Sequence, residues 1–217
     1  MHFLPISLTL FLLFLLLIPL LFILAPAVAF AKMGLHPFFG YAFFLICLIG
    51  GGINIPVYRD TSFRAPPVDD FTLLFHRFLG IRIPVAREQV IAVNFGGAIL
   101  PSLLSIYLLG RVPLTIAIGA TAVTSAASYL LSRPIKGVGI VMPPFVPPII
   151  AAITAMALAR DYAPQIAYIS GVMGTLIGAD LLRVHQIKKL GSPFMSIGGA
   201  GIFDGIYLVG LVSVLLA

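Results

Sequence analysis

Charge is scarce in this sequence: of 217 residues only 7 are Asp or Glu and 13 are Lys or Arg, 9% together. A soluble globular domain carries about 25% charged residues, so the chain cannot cover a water-facing surface and a soluble globular protein is excluded. Tryptophan is absent and cysteine occurs once, at Cys47. One thiol forms no intrachain disulfide and leaves the redox compartment unread. There is no Walker loop, no Rossmann fingerprint and no Gly-x-Ser-x-Gly elbow. The histidines His2, His36, His76 and His185 stand far apart, without a second ligand one helical turn away, so neither a metal site nor a cofactor is expected.

What is present is apolar. The chain is 60% hydrophobic, with a mean hydropathy of +1.14. Its apolar runs approach 20 residues, the length a helix needs to cross roughly 30 Å of hydrocarbon. They lack the period-2 alternation of a porin strand, which excludes a barrel. The fold class read from this pattern is all-α: a single polytopic transmembrane domain over residues 1–217. Seven spans are expected, Leu4–Ala31, Phe38–Ile55, Gln89–Leu109, Val112–Leu131, Val141–Ala159, Ala163–Leu182 and Ile197–Leu216. The first ends in Ala29-Phe30-Ala31, which resembles a signal-peptide cleavage site, but no Lys or Arg precedes it and its apolar run is too long for a signal core. It is read as a retained helix.

The net charge of +6 does not point to nucleic acid, because the basic residues lie in the short loops between spans and form no patch. Ten of them, Arg59, Arg64, Arg77, Arg82, Arg87, Arg133, Lys136, Arg183, Lys188 and Lys189, fall on one side; Lys32, Arg111 and Arg160 fall on the other. The positive-inside rule then sets the N-terminus in the cytoplasm and the C-terminus outside. The longest polar segment, residues 56–88, is a cytoplasmic loop. Within it Phe71, Leu74, Phe75 and Phe78 recur at helical spacing beside His76 and Arg77, as in a short interfacial helix; a plain linker fits the same residues. No internal repeat is found, so the inverted-repeat architecture of many transporters has no support.

Five acids, Asp60, Asp69, Asp70, Glu88 and Asp161, sit in loops or at span edges. The other two do not. Asp180 lies near the end of the sixth span, in Gly178-Ala179-Asp180-Leu181, and Asp204 lies in the seventh, in Gly201-Ile202-Phe203-Asp204-Gly205. An ionisable residue inside a span costs several kcal/mol unless paired or hydrated. The two spans are antiparallel across a short loop, and at 1.5 Å rise per residue the acids differ in depth by about one turn. Glycines between them permit close helix approach. Two carboxylates facing each other in a low dielectric share one proton, so one acts as base on a water and the other as acid on a carbonyl. The bland reading stays open beside this one: Asp180 reaches the cytoplasmic surface or pairs with Arg183 or Lys188, and Asp204 caps a helix start.

In these residues the chain resembles the intramembrane aspartyl proteases that include presenilin, signal peptide peptidase and prepilin peptidase. Presenilin-like members carry a Tyr-Asp pair on the sixth helix and Gly-x-Gly-Asp on the seventh. This chain has Ala179-Asp180 and Gly201-Ile202-Phe203-Asp204, followed by the apolar run Gly205-Ile206-Tyr207-Leu208-Val209-Gly210-Leu211. Phe203 replaces the motif's second glycine, Ala179 replaces the tyrosine, and the Pro-Ala-Leu motif has no counterpart. The resemblance covers about 50 residues. It implies Asp180 and Asp204 as catalytic acids, with Gly201 and Phe203 beside the substrate. The run Pro143-Pro144-Phe145-Val146-Pro147-Pro148 either opens a helix beside that site, with Pro143 and Pro144 at the substrate, or simply starts a transmembrane helix. The implied partners are the lipid bilayer and transmembrane helices of substrate proteins. More broadly the chain resembles an uncharacterised prokaryotic polytopic membrane-protein family, which implies a prokaryotic cell membrane.

Two other functions remain: a small transporter or channel whose aspartates bind a proton or cation, and a noncatalytic scaffold holding partner helices in a glycine-lined groove. Asn54 and Asn94, beside Gly50-Gly51-Gly52 and Gly96-Gly97, are read as interhelical hydrogen-bonding amides ahead of substrate contacts.

Overall fold

The computed structural model describes residues 24–61, 88–135, 139–189, 194–199 and 205–217. Residues 24–32 are helical. The chain then turns into α1 (Pro37–Gly50), where His36 Nδ1 accepts from the Phe38 N–H at 3.3 Å and Pro37 gives up no useful donor. Strands β1 (Asn54–Asp60) and β2 (Gln89–Asn94) follow. A π-helical turn, Phe95–Ile99, leads directly into α2 (Leu100–Leu109), and α3 (Leu114–Leu131) comes next. A short hairpin of β3 (Arg133–Ile135) and β4 (Gly139–Val141) precedes α4 (Val146–Leu158). A 3₁₀ turn, Arg160–Tyr162, starts α5 (Ala163–Thr175), which a second π-helical turn, Leu176–Leu181, prolongs. The short α6 (Val184–Lys189), β5 (Phe194–Ile197) and α7 (Gly205–Leu216) complete the described order.

Helix predominates, as the apolar runs require. Among the described residues two helices are long and apolar enough to cross a membrane, the 18-residue Leu114–Leu131 and the 27-residue run Arg160–Gln186. They play opposite parts. The first is only 28% buried within the protein and turns Leu114, Ile118, Val123 and Leu130 outward. The second is 67% buried: its α5 portion sits at the centre, packed against α2, α3, α4 and α7, with Ile166, Ile169 and Val172 closed off from solvent. Large apolar side chains on the outside, such as Phe38, Ile49, Leu103, Phe145 and Ile153, are what a lipid-facing surface presents.

The all-α expectation is corrected by a three-stranded mixed sheet in the order β1-β2-β5. β1 and β2 are antiparallel, from Asn54↔Asn94 to Asp60↔Gln89, with the register slipping between Pro56 and Tyr58. β2 and β5 are parallel, from Val90↔Phe194 to Val93↔Ile197. β2 is the middle strand and is buried or half-buried along its length, so both faces are apolar and Gln89–Asn94 shows no alternation to tell it from a helix. Pro56 sits on an outer strand, opposite Ala92 and at the start of the register slip, a position where proline is tolerated.

The expected spans Val112–Leu131 and Ala163–Leu182 coincide with the helices of crossing length, and Val141–Ala159 holds the shorter α4. The spans Phe38–Ile55, Gln89–Leu109 and Ile197–Leu216 each divide between strand residues and a helix of 10–15 residues. Of Leu4–Ala31, only residues 24–31 are described, as helix. The loop expected over residues 56–88 begins instead as part of β1, and the interfacial helix over Phe71–Leu79 lies outside the described residues.

Candidate functional site

Asp180 is carried on a backbone that is clamped from two sides. Toward α3, a Cβ at Gly174 would stand 2.7 Å from Thr124 Cβ, and one at Gly178 would run into the Ser125 carbonyl oxygen. Toward α7, a Cβ at Gly171 would stand 2.6 Å from Ser213 Oγ, and one at Gly210 would stand 2.7 Å from Val172 Cγ2. Glycine thus lets the backbones approach more closely than any side chain allows. The pairs Gly171 with Ser213 and Val172 with Gly210 run antiparallel, so the end of α7 that follows Asp204 in sequence lies toward the Asp180 end of α5.

The π-helical turn Leu176–Leu181 adds a residue to the last turn of that helix, re-aiming the side chains that follow. Asp180 Oδ2 accepts from the Gly198 N–H at 3.0 Å. Gly198 comes directly after β5 and has φ +71, and a Cβ on it would meet Ala98 Cβ at 2.5 Å. Both the backbone conformation and the space therefore require glycine where the chain hands its N–H to Asp180. Arg183, expected as a partner of Asp180, is engaged elsewhere. Its Nε donates to Ser132 Oγ at 2.6 Å, its Nη2 to the Tyr129 carbonyl at 2.5 Å and its Nη1 to Gln186 Oε1 at 2.7 Å. The guanidinium also lies 4.4 Å over the Tyr129 ring. Arg183 caps the C-terminal end of α3 and fastens it to the π-helical turn.

Beyond Gly198 the same backbone borders a cleft of about 470 Å³, lined by Leu48, Ile49, Asn54, Asn94, Phe194 and Ser196 with glycines 51, 52 and 199. Its polar wall is one hydrogen-bonded set. Asn94 Oδ1 accepts from the Gly97 N–H at 2.8 Å and caps the first π-helical turn. Asn94 Nδ2 donates to the Gly51 carbonyl at 2.7 Å and to Asn54 Oδ1 at 3.2 Å. Ser196 Oγ donates to the same Asn54 Oδ1 at 2.5 Å. The end of α1, the first residue of β1, the last of β2 and the third of β5 are joined through two amides and a hydroxyl.

A family model described as "Protein of unknown function (DUF1614)" matches residues 48–216. The chain belongs to the DUF1614 family. No curated protein and no solved structure matches it. The DUF1614 stretch contains the whole cleft, the Gly198 turn, Asp180 and Asp204, whereas helical residues 24–32 and most of α1 precede it.

Of the residues expected at the site, Asp180 is half-buried and bonded as described. Gly201, Phe203 and Asp204 lie outside the described residues. Pro143 and Pro144 are exposed in the turn before α4, and the prolines buried in its first turn are Pro147 and Pro148. Asn54 and Asn94 do hydrogen-bond, but between strand ends and helix termini. Ser196 escaped the sequence reading, since a lone serine ahead of a Gly-rich run carries no signal. Among the described residues no group of three His, Cys, Asp or Glu could hold a metal ion.

Proposed function

We propose that this DUF1614 protein is a membrane-embedded aspartyl hydrolase that cuts peptide bonds of apolar, helical substrates, with Asp180 and Asp204 sharing one proton. The observation that carries this reading is the inward placement of Asp180. Its carboxylate is held by a backbone N–H among apolar helices, while the nearest arginine in sequence, Arg183, is committed to the end of α3. An acid kept in such surroundings is a functional group by default. The antiparallel α5–α7 pair further supports the reading, because the chain enters α7 from Asp204 at the end where Asp180 sits.

The chemistry follows from two carboxyls in opposite protonation states. The ionised one takes a proton from water, and the resulting hydroxide adds to the scissile carbonyl carbon. The protonated one gives its proton to the carbonyl oxygen, forming a gem-diol. Collapse of that diol breaks the C–N bond as a proton passes to the leaving amine. The Gly198 N–H holds one oxygen of Asp180 and leaves the other for water. Gly201, Phe203, Pro143 and Pro144 are proposed to border the substrate, and the protein works in a cell membrane, with other membrane-spanning helices as its substrates.

The test is cleavage of a transmembrane peptide by the reconstituted protein across about pH 4–8, comparing wild type with Asp180→Asn and Asp204→Asn. Either asparagine keeps size and hydrogen bonding but neither accepts nor returns the catalytic proton, so each variant is expected to lose at least about 100-fold in rate. Hydrolysis persisting in both refutes the assignment. If wild type cuts nothing while proton or cation flux depends on the same two residues, the transporter reading replaces this one.

A further inference from the structure

The orientation of two amides can be read from one backbone N–H. Gly97 donates to Asn94, so the atom of Asn94 that faces it must be oxygen. The other terminal atom of Asn94 is therefore nitrogen, which suits its second partner, the Gly51 carbonyl. That nitrogen also meets Asn54, so Asn54 must present oxygen there, and the Ser196 hydroxyl, having only an acceptor to face, donates to the same oxygen. Two consequences remain on the cleft side. Asn54 Nδ2 keeps two N–H donors that none of the described residues takes, and Ser196 Oγ, its proton spent on Asn54, keeps its acceptor lone pairs.

A donor and an acceptor thus stand side by side, joined through one shared oxygen, in a wall otherwise made of Leu48, Ile49, Phe194, glycine and Asn94, whose amide is engaged with Gly51, Asn54 and Gly97. Among the described residues no charged side chain lines the cleft, and an ion would find no counter-charge on them to offset its lost hydration. A secondary amide fits both groups at once: its C=O accepts from Asn54 Nδ2 and its N–H donates to Ser196 Oγ. The volume is within the range of about 300–1,000 Å³ usual for small-ligand sites, and the apolar lining accepts an uncharged side chain. We infer that this cleft is a binding site for the backbone amide of an uncharged, apolar peptide segment. The inference stands on the cleft's own groups and is read by binding, so it goes beyond the hydrolytic reading and can hold if Asp180 cuts nothing.

The probe is an N-acetylated di-leucine N-methylamide carrying a photoreactive diazirine, with its matched ester in which the central N–H is replaced by oxygen. Both are applied to the full-length protein in detergent. The amide probe is expected to label residues around Leu48–Asn54 and Phe194–Gly199, and to bind about fivefold tighter than the ester, the worth of one hydrogen bond. Ser196→Ala removes the acceptor for the N–H, so amide and ester should bind it alike. Asn54→Asp keeps the oxygen that Asn94 and Ser196 need but replaces the cleft-facing donor with an acceptor, so labelling should fall at least about tenfold while the unfolding temperature holds. If Asn54→Asp fails to fold, the amide-to-ester ratio in Ser196→Ala decides alone. Labelling elsewhere, equal binding of amide and ester to wild type, or displacement of the amide probe by a phospholipid ester overturns the inference; the last outcome assigns the cleft to lipid.

Discussion

Gly198 shows how much one missing side chain does. With φ +71 and a neighbouring Cβ where its own would go, Gly198→Ala must strain the backbone and displace Ala98, at a cost of about 2–4 kcal/mol. Thermal unfolding in detergent should report that loss, and any activity of Asp180 should fall with it because the N–H moves. Asn94 allows a sharper comparison. Asn94→Ala gives up a helix cap and two donated bonds, about 2–3 kcal/mol. Asn94→Asp keeps the capping oxygen but sets a second acceptor against the Gly51 carbonyl and Asn54 Oδ1, and should unfold at a lower temperature than Asn94→Ala. At this scale the sequence was partly legible. An acid within an apolar run stands out, as Asp180 did, and amides beside glycine runs announce hydrogen bonding. Their partners were not legible, because Ser196 reaches Asn54 across 142 positions and no local pattern records that.

Among the elements, helices were read well wherever hydropathy alone decides. Strands were missed for a physical reason: β2 is covered on both faces, so Val90, Ile91, Ala92 and Val93 follow one another as they would in a buried helix. β5 is only four residues long, too short for a period to appear. The π-helical turn under Asp180 was equally hidden, since it depends on what α5 packs against and not on propensity. That packing makes a firm prediction. At Gly178 any side chain meets the Ser125 carbonyl, a backbone atom that cannot swing aside. Gly178→Val should therefore cost about 3 kcal/mol or more, while Gly119→Val on the open side of α3, where nothing lies within 4 Å, should cost well under half of that. Parallel melting curves check the difference.

Over the whole molecule, side-chain to carbonyl bonds sort the chain into two ends. Lys32 Nζ donates to the Val214 and Leu215 carbonyls at 3.3 and 3.0 Å, and Gln165 Nε2 donates to the Met33 carbonyl at 3.1 Å. Lys32, the start of α5 and the finish of α7 thus share one end, whereas Arg183 and Ser132 meet at the other. The uneven spread of lysine and arginine sets an expectation for these ends, the first outside and the second in the cytoplasm. Reporters fused at Lys32 and Ala217 should both read outside and one at Arg77 inside; a cytoplasmic Ala217 would overturn the proposed orientation. The chain should also stay with membranes through an alkaline carbonate wash and leave them only in detergent. The parallel pairing of β2 with β5 joins segments roughly a hundred residues apart, and contacts of such long range form late. During synthesis β2, the capped turn and Asn54 exist long before Ser196 or Gly198 leaves the ribosome. The cleft and the holder of Asp180 are then completed in one closing step, so a chain that stops short of Gly198 carries the acid without its seat.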